Sequence, residues 1–159
     1  MFTNILWATD GSAQADEALP YALQFVEHDH AQLHVVHVVE KLVGGRSTGL
    51  DAHLDDHDVV AKVQAQTARI ASEHGITPMV HVVAEAPGHV AGRIAGIAEE
   101  AGVDLIVVGT RGRSALSGLV LGSVTQRLLH VAGCPVLAIP PTTVGALGEP
   151  RPDALPSAG

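Results

Sequence analysis

The stretch from Gly109 to Gln126, GTRGRSALSGLVLGSVTQ, combines residue types that are suited to holding an anion. Gly109 and Gly112 allow the backbone to approach a ligand closely, because glycine has no side chain in the way. A helix is predicted to start just after Gly122, and the free N–H groups and dipole of a helix start favour negative charge. We therefore interpret this stretch as a cradle for phosphate groups.

Hydroxyl and cationic side chains strengthen this interpretation; they are Ser123, Thr125, Arg111, Arg113 and Arg127. We leave Arg127 out of the site, because it lies one turn into the predicted helix and is interpreted as a solvated side chain. Ser123 has a second interpretation. The sequence SVTQ is a capping box in which Ser123 caps the helix, with Gln126 three residues later.

Two familiar phosphate cradles are excluded by the residues present. A P-loop requires Lys followed by Ser or Thr after its second glycine, whereas the lysines of this chain are Lys41 and Lys62. The dinucleotide fingerprint G-x-G-x-x-G belongs in the first strand-to-helix turn. That turn reads ATDGSAQA here and does not match.

Strands and helices alternate along the chain, which predicts a parallel α/β sheet with right-handed crossovers. The predicted strands span residues 3–9, 32–40, 77–85, 104–109 and 135–140, and the predicted helices span 13–29, 58–75, 88–102 and 123–133. We expect Ser12 to cap the first helix and Pro20 to kink or loosen it. In such sheets, ligands bind beyond the carboxyl ends of the strands, where the strand order reverses.

Two segments lack this periodicity. Residues 41–57 are rich in Gly, Asp and His, and we expect a loop or partly ordered crossover that is more mobile than the sheet and closes over a ligand. Residues 141–159 are rich in Pro, Gly and Ala, and we expect a flexible C-terminal tail. The predicted organisation is therefore one domain over residues 1–140 followed by that tail.

Composition and charge limit the classes of function. A chain of 159 residues suits one domain, and 47% hydrophobic with 3% aromatic residues suits an aliphatic core. Nine Lys and Arg against 17 Asp and Glu, a net charge of −8, argue against nucleic acid and against an anionic membrane surface. A single cysteine, no basic leader and no apolar run of roughly 18 residues predict a soluble cytoplasmic protein.

The ten histidines raise the question of a metal site. His53 and His57 would share one helix face at a spacing of four, but zinc needs a third and fourth ligand. An acidic, solvated lead-in to a helix is therefore the favoured interpretation. His34 and His37 are three apart on a strand and face opposite sides. Cys134 is interpreted as a small buried hydrophobic residue.

Four landmarks together resemble one known family. GTRGRSALSGLVLGS reads as G-x2-G-x9-G-[ST], and it occurs with DGS at 10–12, HVV at 37–39 and the closing CPVLAIP. In this order they are similar to the universal stress protein family over residues 3–140. Trp7 is a departure from that pattern, because a smaller aliphatic residue is usual there.

The resemblance implies a five-stranded parallel sheet of order 3-2-1-4-5 with helices on both faces, similar to adenine nucleotide alpha hydrolases. It also implies ATP, with Mg²⁺ bound only through the phosphates, between the first and fourth strands. By position, Ala8, Thr9 and Asp10 would border the ribose and adenosine, and Val38 would meet adenine through its backbone. Gly109, Arg111, Gly112, Arg113, Gly122, Ser123, Val124 and Thr125 would surround the phosphates. Asp10 has a second interpretation as an Asx-turn residue.

The function that the resemblance implies is an ATP-binding stress-response or signalling module, with binding rather than turnover as its output. No catalytic constellation is visible, so hydrolysis would be slow at most. Two alternatives stay open: an interaction protein with an empty or AMP-type pocket, and a nucleotidyl or phosphoryl transferase on a related sheet. An apolar edge strand at residues 135–140 predicts a homodimer, in agreement with the family.

Overall fold

The computed structural model describes residues 1–40, 51–111 and 121–141, and of residues 51–56 it describes only the backbone. The strands are β1 (Asn4–Ala8), β2 (Gln32–Glu40), β3 (Met79–Glu85), β4 (Leu105–Gly109) and β5 (Val136–Ile139). The helices are α1 (Ala13–Asp16), α2 (Leu19–Asp29), α3 (Asp51–His74), α4 (Val90–Glu100) and α5 (Ser123–Val131).

The five strands form one parallel sheet of order β3-β2-β1-β4-β5, which confirms the predicted topology. β1 and β4 lie inside the sheet, and every residue of β4 is buried, as its unbroken apolar sequence predicts. The pairings of Ala8 with Val36 and with Val108 are the last that β1 makes. Beyond Ala8, a gap therefore opens between the carboxyl ends of β2 and β4.

Two apolar layers cover the sheet. Helices α1 to α3 pack on one face, over alternate strand residues such as Trp7 and Val35. Helices α4 and α5 pack on the other face, over residues such as Leu6 and Val36. The helices therefore change faces where the chain crosses from β3 to β4, and the strand order reverses between β1 and β4. This is the point at which open α/β sheets bind ligands.

The departure of Trp7 from the family pattern has a local explanation. Its side chain is fully buried, and its indole N–H donates to the Ala15 carbonyl at 3.1 Å. A buried indole needs such a partner. Trp7 therefore joins β1 to α1 as well as filling the core.

Two predicted helices differ in their limits. The first is divided into α1 and α2, and Pro20 lies in the first turn of α2, where a missing N–H costs nothing. α3 begins at Asp51, so the prediction of a non-helical segment over 41–57 is wrong for 51–57. Residues 41–50 and the predicted tail at 142–159 lie outside the described part. In that part, no helix combines the length and apolarity needed to cross a membrane.

Candidate functional site

Beyond the end of β1, backbone groups of β2 face the gap between β2 and β4 and have no strand partner there in the described part of the chain. Thr9 donates its N–H to the Val36 carbonyl at 3.0 Å, so the peptide groups of Val36 face β1. Strand geometry repeats every two residues. The peptide groups of half-buried Val38 therefore face the same side, past the last pairing of Ala8.

The turn that follows β1 is held by side-chain hydrogen bonds. Asp10 Oδ1 accepts hydrogen bonds from the Ser12 N–H at 3.0 Å and the Ser12 hydroxyl at 2.5 Å. The Ser12 hydroxyl oxygen accepts from the N–H of Ala15 at 3.2 Å, which confirms the predicted helix cap. The Asx turn foreseen as the second interpretation of Asp10 is therefore present. Asp10 is half-buried at the carboxyl edge of the sheet.

The exit from β4 brings the two ends of the glycine stretch together. Thr110 donates its N–H to the Ile139 carbonyl at 2.7 Å and accepts at its own carbonyl from Gly122 N–H at 2.6 Å. A Cβ on Gly122 would lie 3.2 Å from the Thr110 oxygen and 3.7 Å from Arg111 Cα. A Cβ on Gly109 would lie 2.8 Å from the Gln14 carbonyl oxygen. Gly109 is therefore needed for packing against α1.

Among the described residues, no side chain caps the start of α5. Gly122 occupies the N-cap position, and no described side chain bonds to the free N–H groups there. The capping-box interpretation of Ser123 is therefore wrong, because Ser123 is the first helical residue and its side chain is exposed. Val124 is half-buried against the core. The Thr125 hydroxyl is buried and donates to the Gly109 carbonyl at 2.8 Å, so it fastens α5 to β4.

One predicted cation lies beside this helix start. Arg111 is half-buried, and its fully covered Nε has no hydrogen-bond partner in the part of the chain that the structure describes. A buried polar group without a partner is unusual in a folded protein and calls for an explanation. Gly112 and Arg113 lie outside the described residues.

Two further polar residues at this edge were missed by the sequence analysis. His37 is 3% exposed, its Nδ1 lies 2.9 Å from the Thr9 carbonyl oxygen, and its Nε2 has no partner among the described residues. A carbonyl only accepts, so His37 Nδ1 carries the hydrogen of this bond. Thr110 is buried, and its hydroxyl also has no partner within the described ranges. Thr110 directly follows β4, and His37 lies in β2 three residues before its end, so their positions near the carboxyl ends of these strands were the available signal.

Metal binding and a reactive cysteine, which the sequence analysis considered and did not favour, have no assembled site among the described residues. In the described ranges, no group of three His, Cys, Asp or Glu residues could hold a metal ion. His57 is exposed, and the side chain of His53 lies outside those ranges.

Burial, and then the charge of Asp104, raise the pKa of the half-buried Cys134 thiol, which makes it a poor nucleophile. His34 stacks on a residue that the sequence analysis did not consider, His81, with ring centroids 5.4 Å apart.

Comparison with known proteins places these features in a family. The model of the universal stress protein family matches residues 1–140. The chain belongs to the universal stress protein family. Its relatives include universal stress proteins of Synechocystis, 33% identical over 141 residues, and of Bacillus subtilis, 32% identical over 151 residues. The first match covers 88% of this chain and 87% of the relative, and the second covers 87% and 99%.

Solved structures of universal stress proteins share the fold. A family member from Burkholderia pseudomallei is 31% identical, with a TM-score of 0.63 over 87% of this chain and 96% of that one. A universal stress protein in complex with cAMP has a TM-score of 0.56, at 22% identity and with coverage of 87% and 96%. One from Archaeoglobus fulgidus in complex with dAMP has a TM-score of 0.61, at 21% identity and with coverage of 87% and 98%. Related folds therefore hold adenine nucleotides.

Proposed function

We propose that this universal stress protein binds an adenine nucleotide, ATP first among them, at the carboxyl edge between β1 and β4. The observation that carries the proposal is the start of α5, which no described side chain caps, beside Arg111, whose buried Nε has no partner among the described residues. An uncapped helix start attracts anions through its free N–H groups and dipole. A guanidinium beside it adds positive charge suited to phosphate.

The adenosine half of the ligand would occupy the gap past Ala8. The peptide groups of Val38 face that gap and offer one donor and one acceptor, which suits the polar edge of adenine. Thr9 and Asp10 border the same gap from β1. Asp10 Oδ1 is engaged by Ser12, and a carboxylate accepts several hydrogen bonds at once. The ribose hydroxyls are therefore suitable donors to Asp10.

The phosphate half would be held by α5 and by the loop that begins at Gly109. The backbone N–H groups of Ser123, Val124 and Thr125 are those of the first helical turn. The exposed Ser123 hydroxyl adds a donor, whereas the Thr125 hydroxyl already donates to Gly109. We include Gly112 and Arg113 in the proposal on the sequence motif alone. Mg²⁺ would be held through the phosphates, since oxygen ligands and retained waters suit that ion.

Binding rather than turnover is the proposed output. Rapid hydrolysis requires a group that orients water toward the γ-phosphate. Asp10 is the carboxylate that the described part of the chain brings to this edge from β1, and its orientation is set by Ser12. We therefore propose a stress-response or signalling module in the cytoplasm whose bound nucleotide is its signal.

An AMP-type ligand is the second candidate. It is favoured by the complexes of structural relatives with cAMP and dAMP, which carry one phosphate each. The uncapped α5 suits one phosphate as well as three. A nucleotidyl or phosphoryl transferase has no supporting observation among the described residues.

Calorimetry separates these candidates. Protein purified without added nucleotide is titrated with ATP, ADP, AMP and cAMP in MgCl₂, with GTP and inorganic phosphate as controls. We expect saturable heat with ATP, and no comparable heat with GTP or phosphate. Tighter binding of AMP or cAMP would favour the second candidate. No heat and no thermal shift with any adenine nucleotide at millimolar concentration would refute the proposed function.

Acid extraction of the purified protein, followed by chromatography of the supernatant, adds an independent readout. Recovered ATP or ADP supports nucleotide binding. A processed product that accumulates during incubation with ATP indicates an enzyme. Protein without any nucleotide, together with silent calorimetry, supports the interaction protein.

We also propose a homodimer through residues 135–140. β5 is an edge strand of four residues, and its Val136, Leu137 and Ala138 are half-buried in the single chain. Ile139 is only 8% exposed in the single chain and belongs to the core, so a dimer would bury mainly the other three residues. Edge strands are commonly paired or covered in proteins.

A further inference from the structure

Helix α3 packs directly onto the turn that carries Asp10. Gly11 has φ +77°, in the left-handed region, and a Cβ there would lie 2.7 Å from Val59 Cγ1. This turn therefore has no room for a side chain on the side of α3. The helix and the turn are in close contact at the carboxyl edge of the sheet.

Lys62 lies three residues after Val59 on α3, and its ammonium group binds the same Asp10–Ser12 turn. Its Nζ donates to the Gly11 carbonyl at 2.6 Å and to Asp16 Oδ2 at 2.8 Å. The Gln66 side-chain amide donates to the other oxygen of Asp16 at 2.8 Å. Asp16 belongs to α1, so Lys62 and Gln66 join α3 to both the turn and the helix after it.

The exposure of this ion pair indicates that its main role is not global stability. The side chains of Lys62 and Asp16 are 43% and 29% exposed. Ion pairs that reach solvent contribute little to the free energy of unfolding, because water and salt screen them. The directed hydrogen bond from Lys62 to the Gly11 carbonyl nevertheless restricts where that peptide can lie.

The restricted peptide is next to the groups that orient Asp10. Gly11 is followed by Ser12, whose N–H and hydroxyl both donate to Asp10 Oδ1. A shift of the Gly11 carbonyl turns the Gly11–Ser12 peptide plane, and with it the Ser12 N–H. Lys62 therefore acts on the Asp10 carboxylate through two residues of backbone.

We propose that Lys62 is a positioning residue for the nucleotide site, holding the Gly11 carbonyl so that Ser12 presents the Asp10 carboxylate to the ribose. This inference rests on the proposed function, because it assigns a purpose to the orientation of Asp10. Lys62 does not touch the ligand. Residues that lock the geometry of a site from outside it commonly set its affinity.

Replacing Lys62 by Met keeps the apolar stem and removes the ammonium group. We expect Lys62→Met to raise the Kd for ATP by about tenfold with little change in melting temperature. Lys62→Arg retains a donor and should stay near the parent. Arg69→Met is the matched control, because Arg69 lies on the same helix in an exposed pair with Glu73. An unchanged Kd in Lys62→Met would overturn the inference.

A double-mutant cycle distinguishes positioning from independent effects. If Lys62 acts through Asp10, Lys62→Met should have little further effect on the Kd for ATP in an Asp10→Asn background. Full additivity of the two changes would contradict the inference. Additive changes in melting temperature would not, since they report only on stability.

Hydrogen exchange tests the same claim without a ligand. In Lys62→Met, the amides of Ser12 and Ala15 should exchange about tenfold faster, while those of β4 remain unchanged. Unchanged exchange at Ser12 overturns the claim that Lys62 orders the turn. Faster exchange with unchanged affinity overturns the nucleotide role. A parent that binds no adenine nucleotide refutes the proposed function, and exchange at Ser12 still decides whether Lys62 orders the Asp10 turn.

Discussion

At the scale of single residues, the two glycines that frame the exit from β4 have different roles. Gly109 is required because the Gln14 carbonyl would lie 2.8 Å from a Cβ. Gly122 has an extended backbone that any residue adopts, with φ −69° and ψ 154°. Glycine is favoured at position 122 because the Thr110 carbonyl, which accepts a hydrogen bond from the Gly122 N–H, approaches closely. Gly122 is therefore the glycine whose substitution tests the start of α5.

We expect Gly122→Ala to lower the affinity for ATP by about tenfold and the free energy of unfolding by about 1 kcal/mol. The added methyl group would lie 3.2 Å from the Thr110 oxygen and push the start of α5 away from Arg111. Gly122→Val should abolish binding, because its branched side chain is larger. Calorimetry and urea denaturation measure the two effects.

Gly133→Ala is the matched control for this change. No heavy atom outside its chain neighbours lies within 4 Å of a Cβ at Gly133, so affinity should stay at the parental level. If Gly122→Ala binds ATP as tightly as Gly133→Ala, the phosphate site does not lie at the start of α5.

At the scale of elements, β1 is held at its amino end by a carboxylate from the segment before β4. Asp104 accepts hydrogen bonds from the Thr3 N–H at 2.7 Å, the Thr3 hydroxyl at 2.8 Å and the Asn4 N–H at 3.1 Å. Burial alone raises the pKa of Asp104, but these hydrogen bonds outweigh it and hold the pKa below the usual 3.8. β1 and β4 are thus joined at the end opposite the site.

The lowered pKa of Asp104 predicts how stability depends on pH. Folding favours the ionised carboxylate, so its contribution is complete above the unfolded pKa of about 3.9 and is lost as pH falls through the folded value. We expect Asp104→Asn to lower the free energy of unfolding by on the order of 1 kcal/mol at pH 7, since these bonds are partly exposed. The difference from the parent should shrink below about pH 4.

Urea denaturation at neutral and acidic pH measures this difference. Asp58→Asn removes the same charge from the exposed side of α3 and is the charge-matched control. A difference for Asp104→Asn that stays constant down to acidic pH would contradict the assigned role of the carboxylate.

At the scale of the whole molecule, the two edges of the sheet compete as interfaces. β3 exposes Met79, Val80 and Val82, each more than a third accessible. β5 exposes less apolar surface, but it is an edge strand, and no strand of the described residues pairs with its outer side. The carbonyls of Pro135 and Ile139 accept hydrogen bonds from the β4 side. Because backbone groups alternate in direction along a strand, the N–H of Ala138, next to Ile139, points away from β4.

We expect the parent to be a dimer at micromolar concentration and Ala138→Pro to be a folded monomer. Proline removes the outward N–H and blocks edge pairing, while the inner ladder keeps its bonds. Leu137→Asp is a less selective change, because Leu137 also packs against the core. Light scattering gives the mass, and circular dichroism checks the fold.

Val82→Asp on the opposite edge is the control and should remain dimeric. Dissociation of Val82→Asp, together with a dimeric Ala138→Pro, would place the interface on β3. A monomeric parent would refute the proposed homodimer altogether.

Much of this architecture was predictable from local patterns in the chain. Alternating apolar runs and helical periods indicated five strands in a parallel sheet, because the periods of strand and helix differ and parallel strands need crossovers. The motif from Gly109 to Thr125 indicated the family and the edge at which the candidate site lies. Ser12 was predicted correctly as a helix cap, since capping depends on residues next to each other in sequence.

Tertiary structure decided what depends on contacts between distant residues. The sequence analysis missed that Gly109 packs on Gln14, that the Thr125 hydroxyl bonds Gly109, and that Lys62 reaches Gly11 across 51 residues. The capping box at Ser123 was locally plausible and was wrong, because Gly122 bonds the Thr110 carbonyl and itself takes the cap position. Such contacts depend on how the elements pack against each other, and they cannot be predicted from the spacing of residues within one segment.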